Sequence, residues 1–126
     1  MFSKVKIFHK LAIGWTILIV LGSLLPSAFV KIQVLDSVTG SDKILHISMY
    51  AIASFLWLMS ISNSYQGRKA IEVILLLTLL GLIIEVLQIV ITTGRFFEWY
   101  DAIANYLGTV VGWITYKVLQ IKLNNK

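Results

Sequence analysis

The sequence contains no cysteine, which removes a disulfide framework, a thiolate nucleophile, an iron–sulfur cluster and any Cys-ligated zinc from consideration. Charge is scarce too. Only 13% of residues are Asp, Glu, Lys or Arg, against the ~25% of ordinary soluble domains. Proline occurs once, at Pro26, where with Ser23 one turn earlier it is expected to bend the end of an apolar run. Zinc-helix HExxH, GxSxG and glycine-rich phosphate loops are all missing, so the standard hydrolase and nucleotide-binding templates do not apply. Repeats and low-complexity tracts are missing as well.

What the sequence does have is aliphatic bulk. Of its 126 residues 58% are hydrophobic, with a mean hydropathy of +0.85. A fold this small leaves a large share of its surface exposed and cannot hide so many aliphatic side chains in one core. The remaining solvent is lipid. The formal net charge of +5 does not indicate nucleic acid, because Lys and Arg sit at the ends of apolar runs and so report orientation in a bilayer.

Leu11 to Val30 is free of charge for 20 residues, flanked by Lys10 and Lys31, which matches the ~20 residues a helix needs to cross hydrocarbon. Lys4, Lys6 and Lys10 resemble the basic region of a secretory signal, but the apolar run exceeds the ~7–15 residues usual there, so it reads as a retained span. Further runs cover about 44–62, 70–92 and 102–121, with turn residues Asn63, Ser64 and Gly67 after the second. The runs are apolar all round, and lipid-exposed strands outside a closed barrel would leave backbone groups unpaired. The expectation is an all-α, four-transmembrane-helix bundle forming one integral membrane domain over 1–126. Eight basic residues (Lys4, Lys6, Lys10, Arg68, Lys69, Lys117, Lys122, Lys126) fall on one side and three (Lys31, Lys43, Arg95) on the other. Both termini are therefore expected in the cytoplasm.

With that topology the polar residues converge. Asp42, His46 and Tyr50 repeat every four residues at the outer start of the second span, as Asp101 and Asn105 do in the fourth. Glu85 and Gln88 share a face of the third, with Glu85 ~13 Å from its outer end. A charged residue at a helix centre costs ~2.5–3.5 kcal/mol on insertion scales, so Glu85 marks an interior face. The segment GRFFEWYD, Gly94 to Asp101, joins an aromatic belt to Arg95, a group suited to two-pronged capture of phosphate or carboxylate, to lipid headgroups, or to pairing with Glu98. Gly108 and Gly112, with Gly81, favour close helix approach.

Three readings of this polar layer remain open. Asp42, Lys43, His46, Glu85, Gln88, Arg95, Asp101 and Asn105 line a ligand pocket, in which Lys43 and Arg95 face an anionic group. Alternatively Glu85 and His46 act as the acid and base of an intramembrane hydrolase or transferase, with Ser41 and Ser48 as hydroxyls lacking an evident base. In the third, the same residues clamp the helices, Glu85 to Arg95 and Asp101 to His46, in a scaffold that docks through Gly108 and Gly112. No cofactor is expected. Nor is a metal, since Asp42, His46, Glu85 and Asp101 supply one imidazole and their donor atoms would have to meet within bonding distance.

The ordered series SLLP (Ser23 to Pro26), DKILH (Asp42 to His46), the ExxQ of Glu85 to Gln88 and GRFFEWYDAIANYLG (Gly94 to Gly108) resembles the VanZ-like family. The likeness runs from about Ser23 to Gly112, and departs from many relatives in placing Glu98 before Trp99 while keeping Asp101. It implies a small multi-pass protein of the bacterial cytoplasmic (inner) membrane, related to an accessory of glycopeptide resistance whose founding member raises tolerance to teicoplanin. It assigns no catalytic residue. The expected partners are membrane lipids and a cell-envelope precursor or glycopeptide-related ligand, not nucleic acid.

Overall fold

The computed structural model describes residues 2–25, 41–61, 66–91 and 97–125. Among these the chain forms four helices and no strand: α1 (Phe2–Leu24), α2 (Ser41–Met59), α3 (Gln66–Ile91) and α4 (Trp99–Asn124). Each apolar run lies largely within one helix. The helices also run into the polar flanks, because backbone hydrogen bonding propagates through Lys, Arg and Gln at little cost. Thus α1 begins well before Leu11 and takes in Lys4, Lys6 and Lys10, and α4 continues past Lys122.

Among the described residues two segments, Lys4–Leu24 and Gly67–Ile91, are long and apolar enough to cross a membrane. Burial follows an inverted pattern. Val90, Leu76, Ile44 and Leu75 are exposed, whereas Ser54, Glu85, Asn105 and Thr109 are buried. The core they share contains Ile19, Tyr50, Ala53, Leu58, Ile84 and Tyr116. Outward aliphatics around an inward polar layer are what a lipid-facing surface produces, since intramembrane polar groups turn to the interior.

The contacts define the direction of every helix. Trp15 donates through Nε1 to the Met49 carbonyl at 2.9 Å, and Trp57 through Nε1 to Thr16 Oγ1 at 3.0 Å, while His9 lies edge-on to Trp57 at 5.4 Å. Low numbers in α1 thus meet high numbers in α2, so the pair is antiparallel. Along the α2–α4 seam His46 meets Asn105, Ile47 meets Gly108 and Ala51 meets Gly112, so those two helices are parallel. Gly81 of α3 packs on Asn105 and Tyr50. Consequently the C-termini of α1 and α3 and the N-termini of α2 and α4 share one end.

The α2–α4 seam is the closest in the fold. A Cβ added at Gly108 would overlap the Ile47 carbonyl oxygen and lie 2.9 Å from that residue's carbonyl carbon and Cα. At Gly112 it would overlap the Ala51 carbonyl oxygen and lie 2.8 Å from Ser54 Cβ. Both glycines are consumed inside the chain and present no docking surface to another protein. Some hydroxyls satisfy themselves locally: Ser48 and Thr109 donate to the carbonyls of Ile44 and Asn105, four residues back, at 2.8 and 2.9 Å.

Candidate functional site: a polar cluster at one end of the bundle

Asp42, His46 and Tyr50 lie one turn apart on α2, which carries them from the exposed rim to full burial. Asp101 and Asn105 make the same descent on α4, with Asn105 only 2% exposed. Glu85 enters from α3, is 1% exposed and lies one turn beyond Gly81. Three helices thus deliver ionisable groups to one place. Donor atoms of His46, Glu85 and Asp101 all lie within 4.8 Å of one another.

His46 is held on both ring nitrogens. Nδ1 is 2.9 Å from Asn105 Oδ1, a carbonyl oxygen that can only accept, so Nδ1 carries the proton and donates. Nε2 then faces Asp101 Oδ2 at 3.8 Å. Asn105 is itself braced, because Thr109 bonds to its backbone carbonyl and its side chain packs against Gly81. Nearer the rim, Gln88 donates through Nε2 to the Ser23 carbonyl at 2.8 Å and fastens α3 to α1.

Lys43 is the hub of the rim. Its ammonium bridges Asp42 Oδ2 at 2.8 Å, Glu98 Oε2 at 2.8 Å and Asp101 Oδ1. Glu98 is the N-cap residue of α4 but makes no side-chain cap, its carboxylate being committed to Lys43. Burial draws the Lys43 pKa down, yet the bonds to Asp101, Asp42 and Glu98 outweigh it and hold the pKa above the ordinary lysine value. The bond to Lys43 likewise holds the Asp42 carboxyl below the usual carboxylate range, against a smaller opposing effect of burial.

Of the eight residues singled out from the sequence, Lys43, His46, Glu85, Asp101 and Asn105 come together. Gln88 sits at the α1–α3 contact, Asp42 stays on the exposed rim, and Arg95 lies outside the described residues, as does Pro26. One expectation is altered by the geometry: the Lys43 charge is taken up by three carboxylates of its own chain. Among the described residues at this end four acids (Asp42, Glu85, Glu98, Asp101) face one lysine and one histidine, so the described part of the cluster is rich in acceptors. Tyr50 belongs to it as well. It is 2% exposed, and its hydroxyl has no hydrogen-bond partner among the described residues. Its four-residue spacing from His46 already puts it on that face of the helix.

A sequence model described as VanZ/LLP1 matches residues 6–120, nearly the whole chain. The protein belongs to the VanZ/LLP1 family. No curated protein and no solved structure matches it. For this VanZ/LLP1 chain the four elements that carried the resemblance converge: SLLP supplies the Ser23 carbonyl, DKILH supplies Lys43 and His46, ExxQ supplies Glu85 and Gln88, and the last supplies Glu98, Asp101 and Asn105.

Proposed function

We propose that the protein is a four-span protein of the bacterial cytoplasmic membrane, both termini inside, whose outer-end recess binds the polar part of a membrane amphiphile such as a cell-envelope precursor and thereby affects teicoplanin susceptibility. The observation that carries the reading is the gathering of buried Glu85 and Asn105 with half-buried His46 and Asp101 at one end of an otherwise apolar bundle. Hydrogen bonds between membrane helices average only ~0.6 kcal/mol, so an ionisable set is a poor device for cohesion alone. Orientation is supported by the charge at the two ends: Lys4, Lys6, Lys10, Arg68, Lys69, Lys117 and Lys122 lie toward one, and among the described basic residues only Lys43 toward the other.

The acceptor-rich lining favours a ligand that offers hydroxyl, amide or ammonium donors, with its anionic group outside the cluster, because Lys43 is already engaged. Such a ligand would enter between helices, its acyl part staying among the exposed aliphatics. The test compares Glu85→Gln and His46→Ala with the parent at equal membrane abundance in a strain where the parent raises tolerance. Restored teicoplanin sensitivity is expected; tolerance unchanged in both variants would refute the reading. Closeness of His46 to Glu85 also favours a second reading, acid–base chemistry on the bound precursor. That one predicts turnover of a lipid-linked substrate by the purified protein, abolished in Glu85→Gln.

A further inference from the structure

We infer that His46, Glu85 and Asp101 form a binding site for one divalent transition-metal ion, zinc or a neighbour of similar preference, in the polar recess of the bundle. The inference rests on the recess described above but not on the identity of any amphiphile.

The donor geometry comes first. One nitrogen and two carboxylate oxygens, each from a different helix, lie within 4.8 Å of one another. Ligand atoms around a tetrahedral ion with bonds of ~2.1 Å are ~3.4 Å apart, so small side-chain rotations close the triangle. The set is mixed. Imidazole favours zinc and its neighbours, whereas calcium and magnesium call for six or more oxygens, which three side chains do not provide.

The second observation concerns the histidine. With Nδ1 bonded to Asn105 Oδ1 at 2.9 Å, Nε2 faces a carboxylate oxygen 3.8 Å away. That separation is too long for a hydrogen bond and close to the ~3.4 Å between two ligand atoms on one ion, so the gap is of a size to admit a cation. A metal-bound imidazole almost always donates its other N–H to a carbonyl or carboxylate, which is the part Asn105 plays, and Asn105 is in turn fixed by its buried surroundings. Third, the Tyr50 hydroxyl is buried, has no hydrogen-bond partner among the described residues, and lies beside Asn105 and Gly81 within electrostatic reach of Glu85. It is placed to bond a water completing the ion's coordination.

Charge agrees. Two carboxylates, a neutral imidazole and a doubly charged ion sum to zero, the condition under which ionisable side chains sit most cheaply in a low-dielectric interior. The neighbouring trio Asp42, Glu98 and Asp101 could also gather round an ion, but the Lys43 ammonium already bridges all three. Asp101 therefore divides its two oxygens, Oδ1 to the lysine and Oδ2 toward the histidine.

The test uses the full-length protein in detergent, purified through a tag without histidine, stripped with chelator and dialysed against zinc, cobalt, manganese or magnesium. Elemental analysis is expected to find about one equivalent of zinc or manganese per chain and no retained magnesium, with cobalt giving the visible absorption of a nitrogen–oxygen site. Glu85→Gln and Asp101→Asn are expected to lose the ion, Asn105→Ala to weaken it by roughly 10–100-fold, and Glu98→Gln to keep it. Because Glu85→Gln risks misfolding, the parent alone is also decisive: failure to retain zinc, manganese or cobalt above background overturns the site. So does retention that is unaffected by both carboxylate variants. Metal content is read on purified protein and teicoplanin tolerance on cells, so either proposal can fail without the other.

Discussion

Replacing Gly108 by alanine puts a methyl group where the α2 backbone already stands. The added carbon would lie 2.9 Å from two Ile47 backbone carbons, against an ordinary contact of 3.4–4 Å, and closer still to the carbonyl oxygen. Backbone cannot rotate aside as a side chain can, so the helices must separate by at least 0.5 Å at that level. Overpacking of this kind costs ~1–3 kcal/mol. Separation also stretches the 2.9 Å bond between His46 and Asn105, one turn away, with a further loss of ~0.5–1.5 kcal/mol. The expected total for Gly108→Ala is therefore ~1.5–4.5 kcal/mol. Gly112→Ala, against Ala51 and Ser54, should cost a similar amount, and the double variant less than the sum, because one separation relieves both clashes. Gly14 is the control: a methyl group there meets nothing within 4 Å, and alanine in a helix is favoured by up to ~1 kcal/mol. The chain's four tryptophans report unfolding in detergent by fluorescence. Should Gly108→Ala prove no less stable than Gly14→Ala, the parallel backbone contact between α2 and α4 is wrong.

Other outcomes follow from single contacts. Trp57→Phe and Thr16→Val should each destabilise the α1–α2 pair, with a double-mutant coupling of ~0.6 kcal/mol, and a coupling of zero would disprove the indole–hydroxyl bond. Gln88→Leu should loosen α1, seen as faster proteolysis of its C-terminal end, because the Ser23 carbonyl loses its donor. The raised pKa of Lys43 means that its stabilising contribution is complete below pH 10.5, the ordinary lysine value, and fades only as pH climbs beyond that toward the folded-state value. In chelator, an alkaline loss of stability that persists undiminished in Lys43→Gln would contradict this assignment. Single cysteines at Ser41 and Gly94 should react with an impermeant thiol reagent in intact cells while those at Ser64 and Asn125 do not; the reverse pattern would invert the proposed topology.

The four helices could be read from the runs of aliphatic residues, since lipid leaves no other use for them, although the runs say little about where each helix starts. Convergence of His46, Glu85, Asp101 and Asn105 could be anticipated from four-residue spacing and from the cost of turning Glu85 toward acyl chains. The role of Lys43 could not. Its partners Glu98 and Asp101 are 55 and 58 residues away, and whether they meet it depends on the rotation of α4, which Gly108 and Gly112 set by their fit to α2. Spacing alone likewise could not reveal that the Trp15 and Trp57 indoles bond a backbone carbonyl and a threonine hydroxyl, because a tryptophan in an apolar run looks the same whether it faces lipid or a neighbouring helix.

Running α2 and α4 side by side in the same direction has an electrical consequence. Their peptide dipoles add instead of cancelling, so two partially positive helix starts crowd one end. Asp42 and Asp101, each in the first turn of its helix, supply the negative charge that such a pair demands. The acids at this end therefore answer the field of the backbone as well as the ammonium of Lys43.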